Sequence, residues 1–113
     1  MNDNSPYLGK WKIIEMEQWD RDYIDLVVPG YIEFEAGQDG SFQFGTVKGW
    51  VDYRIEMFND VDMIAFSWEG MSDTDPGCGR GWAMIVGDSN ELYGRINIHC
   101  SDDSEFHAKK IDD

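Results

Sequence analysis

The sequence predicts an all-β protein, an eight-stranded antiparallel up-and-down barrel. Two observations favour this fold: apolar and polar residues alternate with a period of two along most of the chain, and Gly, Asn and Asp residues recur between the alternating stretches. Short sequential turns join neighbouring strands, and closing the sheet removes both exposed edges. A two-sheet β-sandwich is the alternative. A chain of 113 residues is long enough for one core, so residues 1–113 are predicted to form a single barrel domain.

The alternation divides the chain into eight predicted strands. In chain order they cover residues 8–17, 30–36, 41–47, 50–57, 62–69, 79–86, 91–100 and 104–110. Each strand has one mostly apolar face, as expected for an antiparallel sheet with one buried side. In the second strand this face carries Ile32 and Phe34, and in the sixth strand Trp82, Met84 and Val86 are assigned to it.

The segments between the strands carry turn signals. Tight turns are predicted at residues 37–40, 48–49, 59–60, 87–90 and 101–103, because Gly, Asn and Asp tolerate the positive φ angles of hairpins. Residues 19–28 have apolar side chains at helical spacing, with Asp20 as a candidate N-cap and Pro29-Gly30 as a stop. This segment predicts a short helix or structured loop after the first strand. Residues 70–79 predict an irregular loop.

The charge of the chain excludes several classes of partner. Nine Lys and Arg against 23 Asp and Glu give a net charge of −14, and the cations are scattered, with only Lys109 and Lys110 adjacent. Such a chain is not expected to bind nucleic acid or an anionic membrane surface. No export signal or membrane span is recognisable, so a cytoplasmic location is expected, which would keep the cysteines reduced. Most acidic residues fall in turns or on the solvent-exposed faces of the predicted strands. They are interpreted as forming the solvated exterior of the barrel.

A short motif on the first strand resembles the Gly-x-Trp signature of lipocalin-type (calycin) barrels. The motif is Gly9-Lys10-Trp11. The resemblance implies that Trp11 packs across the closed end of the barrel beside an arginine from a late strand, and Arg95 is the positional candidate. The C-terminal helix of lipocalins has no counterpart in this sequence.

A second resemblance covers most of the chain. The segments that carry it are residues 19–23 (WDRDY), 29–34 (PGYIEF), 66–70 (FSWEG), 79–82 (GRGW) and 99–106 (HCSDDSEF). Together they are similar to a family of small uncharacterised bacterial proteins. This resemblance implies a bacterial source and no particular activity.

Aromatic side chains on the predicted inward faces suggest a function. The candidate interior residues are Trp11, Phe34, Phe44, Tyr53, Phe66, Trp68 and Trp82. Small-molecule sites are apolar with a few polar groups, and Arg54, Arg80 and Arg95 are the candidates for orienting a ligand at the barrel mouth. The first hypothesis is therefore a non-catalytic barrel that binds a small apolar or aromatic ligand. The competing interpretation is that the rings simply fill a small barrel.

Two further functions remain open. An acidic protein-interaction module would present clustered carboxylates to a basic partner. An enzyme would need His99, Glu105 or Cys100 to converge in one cleft, and His107 also lies on a wet face. The chain is predicted not to be an enzyme, because no motif with known catalytic mechanics occurs.

The two cysteines are predicted to lie close together. If residues 87–90 form the turn of a hairpin, the residue numbers of any two paired residues add up to about 177. This register places Cys78 opposite His99 and beside Cys100. A reduced pair, a disulfide and a Cys/Cys/His metal corner all remain open. No C-x-x-C spacing or calcium-loop pattern occurs, so no metal or cofactor is predicted.

Overall fold

A computed structural model describes residues 7–59, 61–86, 90–99 and 103–111. Eight strands form a closed antiparallel barrel in which each strand pairs with the next and β8 pairs with β1. They are β1 (Gly9–Met16), β2 (Tyr31–Glu35), β3 (Asp39–Phe44), β4 (Val47–Phe58), β5 (Val61–Ser72), β6 (Asp75–Val86), β7 (Glu91–Asn97) and β8 (Asp103–Lys110), with a short helix α1 (Arg21–Ile24) after β1. The up-and-down barrel is confirmed and the sandwich is wrong.

The first connection folds as its sequence indicates. Helix α1 begins after Asp20, whose side-chain Oδ1 accepts a hydrogen bond from the Tyr23 backbone N–H at 3.1 Å. This bond satisfies one of the backbone donors left free at a helix start. The hydroxyl of Tyr23 in turn accepts a hydrogen bond from the Thr46 N–H at 3.2 Å, so the helix is tied to the turn between β3 and β4.

Aromatic rings fill the inside of the barrel. Six of the predicted interior residues are buried, each with 5% or less of its surface exposed: Trp11, Phe34, Phe44, Tyr53, Phe66 and Trp68. The rings pack on one another, with centroid distances of 5.1 Å between Phe34 and Tyr53 and 5.0 Å between Phe42 and Trp68. Both distances lie in the range of favourable aromatic pairs. The competing interpretation, core filling, therefore describes this part of the barrel.

Inward-facing glycines leave room for these rings. A Cβ atom added to Gly81 would lie 2.3 Å from Cζ of Phe66, and one added to Gly49 would lie 2.8 Å from both Phe42 and Trp68. Real Cβ atoms do not approach other atoms so closely, so the rings occupy the space that larger residues at these glycines would need. Large and small residues thus interdigitate across the barrel, as in a packed protein core.

The predicted facing of β6 is wrong. Ala83 is fully buried, whereas Trp82 is half-buried on the outer face, where its ring meets Tyr93 with a centroid distance of 5.9 Å. Residues 81–86 carry apolar side chains on both faces, so alternation alone does not determine which face points inward. The Phe66 ring decides it, because only the face containing Gly81 leaves space for that ring.

Three predicted connections differ in the structure. The turn between β3 and β4 lies at Gly45-Thr46, with φ of +58° at Gly45, and the predicted turn at Lys48-Gly49 lies inside β4. A positive φ favours glycine at the first of these positions. The predicted loop at 70–79 is also wrong, since its residues extend β5 and β6 on either side of a turn at Asp73-Thr74. The last connection differs as well, because β7 ends at Asn97.

A buried tryptophan lies near the start of β1. Trp11 is fully buried, and its indole Nε1 donates a hydrogen bond to the Tyr7 carbonyl oxygen at 3.1 Å. The cation above its ring is Lys110, whose Nζ lies 4.6 Å from the ring centroid and donates to the Leu8 carbonyl oxygen. The prediction that Arg95 packs beside Trp11 is wrong. Lys110 is the direct partner of Trp11 across β1 and β8, while Arg95 lies on the outer face of β7.

A β-bulge reverses the facing of residues in β1. The pairing with β8 shifts between Ile13 and Glu15, so Ile14 is the extra residue. Before the bulge Ile13 points inward, and after it Met16 does. The carbonyl oxygen of Ile14 accepts a hydrogen bond from Nη2 of Arg21 at 2.9 Å. A polar partner therefore satisfies the backbone where the bulge interrupts the ladder.

A buried serine fixes the chain as it leaves β1. Ser104 is fully buried, and its hydroxyl accepts hydrogen bonds from the N–H groups of Glu17 and Gln18, each at 3.1 Å. The same hydroxyl donates to the Glu105 carbonyl oxygen at 2.8 Å. All the hydrogen-bonding capacity of this side chain is used to attach the end of β1 to β8.

The substitution Ser104→Ala is expected to lower the free energy of unfolding by about 1–3 kcal/mol, because it removes a fully buried hydroxyl that bonds the Glu17 and Gln18 N–H groups and the Glu105 carbonyl oxygen. Urea unfolding followed by circular dichroism measures this change. Ser67→Ala is the matched control, since Ser67 is exposed on β5, and it should cost less than about 0.5 kcal/mol. Equal effects of the two substitutions would contradict the assigned role of Ser104.

The different facing of two tryptophans can be tested in the same assay. Trp68→Ala should destabilise the protein by about 3–5 kcal/mol, because it removes a buried ring and leaves a cavity. Trp82→Ala should cost about 1 kcal/mol, because Trp82 loses only an outer-face aromatic contact. A larger loss for Trp82→Ala than for Trp68→Ala would restore the original assignment of β6.

Candidate functional site

A cleft of about 440 Å³ opens on the outer surface of the barrel, where β7, β8 and β1 meet. We call it the outer cleft. Its lining consists of Glu15, Met16, Glu17, Val86, Glu91, Tyr93, Glu105, Phe106 and His107. Val86 and the half-buried ring of Tyr93 supply an apolar floor, and the glutamates, the histidine and the Tyr93 hydroxyl form a polar rim, while the buried side chains of Met16 and Phe106 point into the barrel. Its volume lies in the range of small-molecule sites in proteins.

The bulge in β1 creates the acidic side of the cleft. Because the facing reverses at Ile14, Glu15 and Glu17 both point outward next to β8. Glu15 is the direct partner of His107, and the Glu17 backbone N–H donates to the Glu105 carbonyl oxygen at 3.0 Å. If regular alternation continued through Ile14, Glu15 and Glu17 would face inward and Met16 would face outward. Bulges are frequent next to binding and active sites for this reason.

One arginine neutralises one edge of the cleft. Arg95 Nη1 lies 2.7 Å from Oδ2 of Asp103, and its Nη2 lies 3.2 Å from Oε2 of Glu105 and 4.0 Å from Oε1 of Glu17. These carboxylates, Asp103 foremost, raise the pKa of the Arg95 guanidinium. Arg95 thus remains a cation that holds Glu105 and Glu17 in place, and it was predicted at the barrel mouth instead.

The rim also contains a tyrosine and a histidine bound to glutamates. The hydrogen bond between the Tyr93 hydroxyl and Glu105 is the main reason that the pKa of Tyr93 is raised. Nε2 of His107 lies 2.8 Å from Oε1 of Glu91. Within the part of the chain that the structure describes, Glu15 forms no ion pair within 4 Å. Glu15 is therefore available to a ligand.

The chemistry of the cleft is that of a cation-binding site with an apolar floor. Carboxylates form strong, charge-assisted hydrogen bonds with ammonium and guanidinium groups. The nine lining residues include no serine, cysteine or lysine that could act as a nucleophile. The arrangement can bind and orient an amine and bury an apolar group beside it.

The arginines predicted at the barrel mouth do not meet there. Arg54 lies on the outer face of β4, with Nη1 at 3.0 Å from Oδ1 of Asp52 and 3.2 Å from Oε1 of Gln38. Arg80 is exposed on the outer face of β6. Outward positions alternate with the buried ones along each strand, so the three arginines are separated from the interior rings by the sheet itself.

The predicted pairing of Cys78 with His99 is confirmed. The His99 N–H donates to the Cys78 carbonyl oxygen at 2.7 Å, and both residues line a concavity with Arg80 and Asn97. Cys78 is exposed. Cys100 lies outside the described residues, as do the disulfide and the Cys/Cys/His metal corner that depend on it. Within the described ranges, no three His, Cys, Asp or Glu side chains are placed to hold a metal ion.

The predicted catalytic candidates are in different places. His107 and Glu105 both line the outer cleft, whereas His99 lies beside Cys78 at the end of β6. The prediction missed Glu15, Glu17, Glu91 and Tyr93 as a group. Their sequence signal is the break in alternation after Ile13, where two isoleucines are followed by a glutamate. That break marks a bulge, but it does not show which strand lies next to it.

Comparisons with protein-family models, with curated proteins and with solved structures each returned no match. The similarity to lipocalin-type barrels and to a small bacterial family therefore stays a prediction, and the confirmed part is the eight-stranded barrel. In the described ranges, no helix has the length and apolar character needed to cross a membrane.

Proposed function

We propose that this protein is a non-catalytic ligand-binding barrel whose ligand site is the outer cleft. The ligand is a small molecule with an apolar or aromatic body and a positively charged amine. The observation that carries this proposal is the combination of an apolar floor, Val86 and the ring of Tyr93, with a rim of four glutamates. An apolar body would pack on the floor while the ammonium group bonds to the rim.

The charge of the cleft favours a cation over a neutral ligand. Arg95 is ion-paired with Glu17 and Glu105, and His107 is paired with Glu91. Among the described residues, Glu15 keeps an unpaired carboxylate. The net charge of −14 also draws cations towards the protein. A positively charged ligand therefore gains from both the local carboxylates and the overall field.

The interior of the barrel is a poorer candidate for the ligand site. Its rings contact each other, and facing glycines provide the space that those rings use. A ligand there would have to displace aromatic side chains that are already buried, whereas the outer cleft is open to solvent.

A second candidate function is binding of a basic protein. An outer-face stripe of apolar side chains on β5 and β6 runs up to the cleft and ends at Val86, which is 36% exposed and lines it. The other members are Val61, Met63, Trp82 and Met84. A lysine or arginine side chain of a partner could enter the cleft while the partner's surface covers this stripe.

The proposed function can be tested with benzylamine and its neutral analogue benzyl alcohol, followed by ¹H–¹⁵N NMR of the labelled protein. Benzylamine should shift the amide signals of Tyr93, Phe106 and His107 and should bind at least about tenfold more tightly than the alcohol, since tenfold corresponds to about 1.4 kcal/mol. Equal binding of the two compounds, or shifts confined to residues outside the cleft, would contradict the proposal.

Two variants with the same change of charge complete this test. Glu15→Gln should weaken benzylamine binding about fivefold, the loss expected for one exposed ionic contact of about 1 kcal/mol. Glu69 lies on the outer face of β5, outside the cleft, so Glu69→Gln should change the affinity for benzylamine by less than about twofold. If benzylamine does not bind but a tetralysine peptide shifts Met84 and Val86, the second function is the correct one.

A further inference from the structure

A smaller cavity of about 350 Å³ lies on the outer faces of β1 and β2. We call it the lysine cavity. Its lining includes Lys10, Lys12, Pro29, Gly30, Tyr31 and Gln43. It contains two cations and no acidic side chain, although the chain as a whole has 23 acidic residues against nine basic ones.

The fold gathers lysines that are scattered in the sequence. On the outer face of the barrel, Lys12 of β1 lies directly between Lys109 of β8 and Tyr31 of β2. The same row continues through Gln43 of β3 to Lys48 of β4. Strand pairing brings together positions that are far apart along the chain. Two like charges directly opposite each other in a ladder destabilise a sheet.

The lysines of this row are mostly free of carboxylates. Among the described residues, Lys48 and Lys109 of this row form no ion pair within 4 Å, and neither does Lys10, two residues before Lys12 on β1. Lys10 has Glu33 as its ladder partner, yet its Nζ lies 4.4 Å from the ring centroid of Tyr31. These ammonium groups are thus not ion-paired within 4 Å, although Glu33 and Glu91 are the ladder partners of Lys10 and Lys109.

The wall beside the lysines is held in place. Nζ of Lys12 lies 3.8 Å from Oδ1 of Asp25, and the same oxygen accepts a hydrogen bond from the Gly30 N–H at 2.9 Å. The Gly30 carbonyl oxygen accepts a bond from the Ile13 N–H at 2.9 Å. Asp25 is not part of the cavity lining, and its carboxylate holds Lys12 and Gly30 through these two contacts.

From this arrangement we propose that the lysine cavity binds a small organic oxyanion, a carboxylate or a phosphate attached to an apolar group. Lys10 and Lys12 donate hydrogen bonds to the oxyanion, and Tyr31 and Pro29 contact the apolar group. The site is separate from the outer cleft and takes a ligand of the opposite charge, so the two proposals stand or fall independently.

The probes for this site are benzoate and phenyl phosphate, with acetate and inorganic phosphate as the matching anions that lack an apolar group. In ¹H–¹⁵N NMR titrations, at least one aromatic anion should shift the amide signals of Gly30, Tyr31 and Gln43 and should bind about tenfold more tightly than its small analogue. The tighter of the two aromatic anions shows whether the site prefers carboxylate or phosphate. No shift of these signals with either aromatic anion would overturn the proposal.

Variants that remove positive charge distinguish binding in the lysine cavity from a general attraction of anions to lysines. The double variant Lys10→Gln/Lys12→Gln should weaken the tighter probe at least about tenfold, and the single variant Lys12→Gln about threefold. Lys48→Gln is the control, because Lys48 lies in the same row but outside the cavity lining, and it should change binding less than about twofold. An equal loss for Lys12→Gln and Lys48→Gln would show only nonspecific attraction. Thermal unfolding of each variant confirms that it is folded.

Discussion

Packing of aromatic rings inside a barrel of only eight strands is the constraint on which the rest of this structure depends. An eight-stranded barrel has an interior just wide enough for its own side chains or for one small ligand. Here Phe34, Phe66 and Trp68 lie inside, and glycines on neighbouring strands provide the space for them. This packing sets which face of β6 points inward and places Trp82 on the outside.

Because the described interior is packed with rings, recognition is assigned to the outer faces of the strands. Strand pairing sorts the outer charges into separate places: glutamates around the outer cleft and lysines along a row on β8, β1 and β4. The bulge at Ile14 lies in β1 between these two regions. Before the bulge, the outward-facing residues of β1 include Lys10 and Lys12. After the bulge, the outward-facing residues are Glu15 and Glu17. One extra residue therefore helps to separate a basic surface from an acidic one.

Alternation was sufficient to predict the barrel and most of its core. It failed where both faces of a strand are apolar, as around Trp82, and where a glycine such as Gly49 lies inside a strand to make room for a ring rather than in a turn. Turn signals predicted the register that pairs Cys78 with His99. The candidate sites could not be predicted in the same way, because they depend on neighbours from distant strands and on a bulge whose partner strand is not visible in the sequence.

Xenon binding to a pressurised crystal tests most directly whether the interior is filled. Xenon enters apolar cavities in proteins, including those made by removing a buried side chain. The account predicts no xenon density between Phe34, Phe66 and Trp68 in the wild-type protein, and density at that place in the variant Phe66→Ala. Xenon bound among these rings in the wild-type protein would contradict the account and would return the ligand site to the barrel interior.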